Sequence, residues 1–149
     1  SIVGSKARRY MLLGLGTAGG KDGDEVESAI VMKAASAVAA ACHDQKRAAS
    51  CNVLLPSNIR GHAALKDFST AFYSALYADN RYRTGKNAEA KARDVRTVTL
   101  FMESGAPSDA ASSIAAGAAL AAGCSLTKDI INAPHNVLNS ESLADTARR

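Results

Sequence analysis

Near the end of this 149-residue chain a proline fixes where a long helix must stop. Pro134 has no N–H to offer the backbone and biases Ala133 away from helical geometry, so a helix reaching it is expected to end near Asn132. That helix reads from about Asp109, with Ser108 as its expected cap and Gly105 to Asp109 as the break before it. Its face of Ala111, Ile114, Ala115, Ala118, Ala122 and Leu126 is built of small side chains, which let a helix approach its neighbours closely. The element is therefore expected to be central to packing. Beyond the proline, Asn139 or Ser140 can cap a new helix, with Glu141 well placed in its first turn.

The segments before this helix alternate between two patterns. Residues 9–16 and 52–56 read as strands. Residues 25–45 read as a helix with Val26, Ile30, Ala34, Ala37, Val38 and Ala41 along one stripe, and Leu65, Phe68, Phe72 and Leu76 mark a second helix. Polar residues from Asn80 to Gly85 stop that helix, and the charged, Ala-rich stretch 87–93 reads as a loop. Residues 95–102 form a strand buried on at least one face. Alternating strands and helices imply an α/β domain with a largely parallel sheet. A chain of this length suggests one domain that buries roughly 70% of its unfolded surface.

Composition excludes several classes. With 47% hydrophobic and 21% charged residues, the chain is too apolar for a disordered segment. The most apolar run, Ile114 to Cys124, falls short of the about 20 residues a spanning helix needs, so no membrane span is expected. No targeting segment is read, because the N-terminus runs directly into a strand. Cys42, Cys51 and Cys124 are odd in number and lack metal-ligand spacing, which points to buried structural thiols in a reducing compartment. Cys42 and His43 are adjacent, and neighbouring side chains on a helix diverge.

Several stretches together resemble one family. Leu126-Thr127-Lys128-Asp129-Ile130-Ile131-Asn132-Ala133-Pro134-His135-Asn136-Val137-Leu138-Asn139-Ser140 resembles the segment L-x-R-D-L-V-N-x-P-x-N-x-L-T-P-E, by which the leucyl aminopeptidases pass from an N-terminal into a catalytic domain. Ser140 stands where proline is usual. Arg9-Tyr10-Met11-Leu12-Leu13-Gly14-Leu15-Gly16 resembles that family's strand ending in Gly-Leu-Gly. Tyr77-Ala78-Asp79-Asn80-Arg81-Tyr82-Arg83-Thr84 resembles its Y-R-F-D-R-Y-K-[ST] stretch, with Asp79 in place of Phe and Asn80 in place of Asp. The resemblance implies a three-layer α/β/α fold with a mostly parallel sheet, similar to the macro domain. It implies a non-catalytic domain over residues 1–132, with 133–149 as the linker and the start of the helix leading to an absent catalytic domain. The family's domain usually has strands before the Gly-Leu-Gly one, so this chain is expected to be a fragment or a reduced member.

The same resemblance implies a cytoplasmic enzyme, with an organelle interior as the alternative. It implies a homo-hexamer that releases N-terminal amino acids from peptides with two divalent ions, zinc or manganese. Their ligands would lie in the catalytic domain, the partner of this one. No catalytic, cofactor-binding or metal-binding residue is assigned within this chain, which alone is expected to be inactive. His43, His62 and His135 are scattered, and no serine sits in a G-x-S-x-G turn.

The alternative is a nucleotide or nucleic-acid binding module. Gly14, Gly16 and Gly19 match G-x-G-x-x-G within a loop from Gly14 to Gly20, the setting in which amides can cradle a pyrophosphate. Against it, Asp22 and Asp24 would repel phosphate, and no acidic residue follows the second strand to hold a ribose. A net charge of +4 leaves room for an anionic partner. Basic clusters at Lys6 to Arg9, Lys46-Arg47, Arg81 to Lys86 and Lys91 to Arg96, the third near Phe72, Tyr77 and Tyr82, would carry it. A stand-alone subunit that pairs with full-length enzyme chains is a further reading.

Overall fold

The computed structural model describes residues 10–16, 26–44, 50–82, 84, 97–103 and 105–148. Their elements run α1 (Ser28–Asp44), β1 (Ser50–Leu55), α2 (Gly61–Ala75), β2 (Thr97–Met102), α3 (Ala110–Asn132) and α4 (Ser140–Arg148). The two strands pair in parallel, from Ser50 beside Thr97 to Leu55 beside Met102. Parallel neighbours need a crossover, and α2 lies within it. The α/β reading with a parallel sheet therefore holds.

Strand alternation sends Cys51, Val53, Leu55, Val98, Leu100 and Met102 to one face, where they join the core. There they meet Val31, Ala35, Val38, Ala39 and Cys42 of α1, and Leu65, Phe68, Ala71 and Phe72 of α2. Phe68 and Phe72 stack with ring centroids 6.2 Å apart. The opposite sheet face presents Asn52, Leu54, Thr99 and Phe101 exposed, so among the described residues the sheet is covered on one side, where three layers were expected. The turn after β2 depends on Gly105, whose φ of +81° suits a residue without Cβ while its N–H closes onto the Met102 carbonyl.

Two expected stripes are rotated. On α1 the buried line is Val31, Ala35, Val38, Ala39 and Cys42, with Ile30, Ala34, Ala37 and Ala41 flanking it half-buried. On α3 the buried residues are Ser113, Gly117 and Ala121, while Ala111, Ala115, Ala122 and Leu126 are exposed. Close approach rather than hydrophobicity selects that second line. A Cβ built on Gly117 would run into the Lys66 carbonyl oxygen, and it would lie 2.7 Å from the Ser69 Cβ.

The strand expected over 9–16 is absent from its described part, Tyr10 to Gly16. No ladder joins that segment to β1 among the described residues; Leu15 alone turns into the core, and Tyr10, Met11 and Leu12 are exposed. The N-cap of α3 is Asp109 rather than Ser108. The apolar run judged too short to span a membrane lies within a helix of 23 residues, α3, which by length and composition alone is long and apolar enough to do so. The stretch 87–93 lies outside the described residues.

Pairs along the two helices advance together: His62 meets Asp109 and Ser113, Lys66 faces Gly117, and Tyr77 meets Asp129. Thus α2 and α3 run parallel and in contact. At 1.5 Å per residue, the 23 residues of α3 outreach the 15 of α2 by about 12 Å. The non-helical tail after α2 follows this overhang.

Candidate functional site

Helix α3 ends where Pro134 requires. Ala133 is extended, with φ −71° and ψ 130°, and its N–H goes to the Ile130 carbonyl at 3.3 Å, a contact one residue shorter than the helical one. That leaves the Asp129 carbonyl without the Ala133 donor it would have in a continuing helix. The gap is filled from another element: an Arg81 guanidinium nitrogen donates to the Asp129 carbonyl at 2.9 Å.

Arg81 is itself held by a two-pronged pair with Asp79, Nε to Oδ1 and Nη2 to Oδ2, both at 3.0 Å. Its backbone N–H also donates to Asp79 Oδ1, which makes a tight local turn. The same guanidinium lies 3.0 Å from the Asp129 carboxylate. These partners, Asp79 first, raise the Arg81 pKa above its ordinary value and keep the group charged. Beside it, the Tyr77 hydroxyl donates to Asp129 Oδ1 at 2.7 Å, and Lys128 sits over the Tyr77 ring at 5.1 Å. Partial withdrawal from water, and then the Asp129 bond, raise the Tyr77 pKa.

Tyr77 and Arg81 belong to the stretch Tyr77–Thr84, and Asp129 and Asn132 to Leu126–Ser140, both singled out in the sequence, and these contacts lock the two stretches together. After Pro134 the chain makes a turn, with Val137 and Leu138 N–H groups on the Pro134 carbonyl. Asn139 then caps α4 as expected, in a reciprocal box: Ser142 N–H to Asn139 Oδ1 at 2.9 Å and Asn139 N–H to Ser142 Oγ at 2.8 Å.

The other sites read from the sequence come out differently. Gly14 and Gly16 line a cavity of about 380 Å³ with Leu13, Leu15, Ile30, Lys33, Ala34 and Ala37. It runs along the flank of α1 and is walled mostly by carbon, with Lys33 the one cationic side chain among the described residues that line it. Gly19, Gly20, Asp22 and Asp24 lie outside the described residues. Of the third basic cluster the described residues include Arg81, which is paired; nearby, Tyr77 is bonded and Phe72 is buried in the core, while Arg83 and Lys86 lie outside the described residues. Tyr82, the third aromatic, is exposed, with the Arg81 guanidinium over its ring at 5.2 Å. The other basic clusters, Lys6 to Arg9, Lys46-Arg47 and Lys91 to Arg96, lie outside the described residues.

One constellation was missed in the sequence. His62 Nδ1 lies 2.7 Å from Ser113 Oγ and 3.0 Å from Asp109 Oδ2. Ser113 Oγ donates to the Asp109 carbonyl, so the ring N–H is shared between the hydroxyl oxygen and the carboxylate. A hydrolytic triad needs serine and acid on opposite ring nitrogens and an accessible nucleophile. Here both use Nδ1 and Ser113 is fully buried, so the group staples the N-termini of α2 and α3. His62 lies 47 positions from Asp109 and 51 from Ser113, too far in sequence to signal it.

The thiols differ in setting: Cys42 is buried, Cys51 partly buried and Cys124 exposed. Burial, and then the neighbouring Cys51, push the Cys42 thiol up to about 12. His135 is exposed in the turn after Pro134.

Comparison with known proteins gives the family. The chain is 24% identical over 141 residues, 95% of its length, to a probable cytosol aminopeptidase of Picosynechococcus sp. (strain ATCC 27264 / PCC 7002 / PR-6). It spans about a quarter (26%) of that relative's length. No solved structure matches it at a significant level. Residues 1–86 match the N-terminal domain of the cytosol aminopeptidase family, and the chain belongs to that family.

Proposed function

We propose that residues 1–132 are the non-catalytic N-terminal domain of a leucyl aminopeptidase, and that 133–149 are the linker and first helix toward its catalytic domain. The observation that carries this reading is the junction itself. Tyr77 and Arg81 hold Asp129 at the point where Pro134 releases the chain, so the exit from α3 is fixed in direction. A domain that must place another needs such an exit.

In the complete enzyme, N-terminal amino acids are removed from peptides in the cytoplasm, within a homo-hexamer. This domain shapes access to the active site and supports assembly. The two divalent ions of the family, zinc or manganese, belong to the catalytic domain. Among the described residues no three His, Cys, Asp or Glu side chains converge to hold a metal. Where Asp79 and Asp129 approach each other, the Arg81 guanidinium fills the space between them. In this reading the family's metal ligands belong to the catalytic domain, and the chain alone is inactive.

The test is the intact mass of the natural gene product, with its hydrolysis of leucine p-nitroanilide in added manganese or zinc. A product several-fold heavier than 15.4 kDa that cleaves the substrate supports the reading. A product of 15.4 kDa that purifies without longer chains overturns it.

A further inference from the structure

We infer that Arg81 is a positioning residue that fixes where the chain leaves α3, by supplying from outside the helix the hydrogen bond that Pro134 removes from its last turn. The argument starts from the backbone. In an uninterrupted helix the Asp129 carbonyl would accept from Ala133, and the Ile130 carbonyl from residue 134. Residue 134 has no N–H, and Ala133 donates to Ile130 instead. One carbonyl is thereby left over, and it is the one that Arg81 takes at 2.9 Å.

The geometry suits a cap. Asp79, with its side chain only 12% exposed, grips the Nε–Nη2 edge of the guanidinium and orients it, so that the same Nη2 reaches the Asp129 carbonyl. A cation at a helix C-terminus also opposes the negative end of the helix dipole. Lysine could not reproduce this, since a single ammonium cannot hold a planar two-pronged carboxylate pair and a carbonyl in one fixed plane. Arg81 and Pro134 are thus coupled through the Asp129 carbonyl, one removing a donor and the other replacing it.

The inference rests on the reading of 133–139 as a linker, but its test uses this chain alone and needs no peptidase activity. Amide hydrogen exchange is measured on Arg81→Ala, Arg81→Lys, Asp129→Asn, Pro134→Ala and the double variant Arg81→Ala/Pro134→Ala. In Arg81→Ala the amides of Ile131, Asn132 and Ala133 should exchange about fivefold faster, the loss of one net hydrogen bond. Amides of 65–72 and 113–121 should be unchanged. Arg81→Lys should fall between, and Asp129→Asn should lose less than Arg81→Ala because the carbonyl cap survives it.

The decisive comparison is the double variant. Alanine at 134 restores the missing N–H, so Arg81→Ala should then have little effect on those amides. An equal effect of Arg81→Ala in both backgrounds overturns the proposal, as does an equal effect of Asp129→Asn and Arg81→Ala. Faster exchange throughout 65–72 would make Arg81 a residue that holds the whole fold, and would overturn it too. A light gene product without activity would sink the aminopeptidase reading while leaving this exchange result intact.

Discussion

Gly117 of α3 lies directly against the main chain of Lys66 in α2, with no space between them for a methyl group. The Lys66 carbonyl is also tied to the Thr70 hydroxyl at 2.8 Å, so it is not free to swing away. Alanine at 117 would gain about 1 kcal/mol of helix propensity. It would lose more by forcing the two helices apart, since overpacking a tight contact costs about 1–3 kcal/mol. Gly123 on the same helix has nothing within 4 Å of a built Cβ, so alanine there meets no such cost. Urea midpoints should move in opposite directions, down for Gly117→Ala and up for Gly123→Ala. A Gly117→Ala variant as stable as the parent would show that the close approach is wrong.

The Asn139–Ser142 box stabilises a helix with no buried residues. Its loss should therefore be local. Asn139→Ala should weaken α4 by about 1 kcal/mol, seen as faster exchange at the Ser142 and Leu143 amides. The thermal midpoint of the core should stay where it is. A large fall in that midpoint would mean that α4 carries more of the fold than its exposure indicates.

What could be read from the sequence follows the range of the interaction involved. The end of α3 at Asn132, the Asn139 cap and the Leu65, Phe68 and Phe72 positions of the α2 stripe rest on residues a few positions apart and stand in the structure, while Leu76 falls at the C-cap just past the end of α2. The stripes of α1 and α3 were displaced because alanine occurs around much of each helix, so periodicity in hydrophobicity carries little direction. On α3 the packed line is set by the close approach at Gly117, with Ser113 and Ala121 one turn to either side, and that approach is legible only once a partner such as Lys66 is known. The family motifs pointed to residues 77–84 and 126–140 separately. That Arg81 reaches the Asp129 carbonyl depends on α2 and α3 running parallel, which follows from the β1–β2 crossover rather than from either motif.

The His62–Asp109–Ser113 group should behave as a staple. Ser113→Ala removes a buried hydroxyl that bonds both the ring and the Asp109 carbonyl, and should cost about 1 kcal/mol. A fluorophosphonate probe should leave Ser113 unmodified in the folded chain. Labelling at Ser113, tracked by peptide mass, would reopen a catalytic role for the site.

Cys42 makes stability depend on alkaline pH. Its thiol is pushed from an ordinary 9.0 up to about 12, by burial first and by Cys51 second. The folded chain thus holds this proton more tightly than the unfolded one does. The resulting contribution is complete below pH 9 and is lost as pH rises from 9 toward 12. Tyr77 is shifted in the same direction from 10.0, so the interval between 9 and 10 isolates the thiol best. Cys42→Ala should be less stable than the parent at pH 7, because a buried sulfur is replaced by space. By pH 10 that deficit should shrink, since the variant has no thiol to ionise on unfolding. Urea midpoints of both proteins at pH 7, 9 and 10 provide the check, and a deficit that stays constant would mean that Cys42 ionises as readily folded as unfolded. Thiol labelling gives an independent reading: exposed Cys124 should react first, and Cys42 only on unfolding.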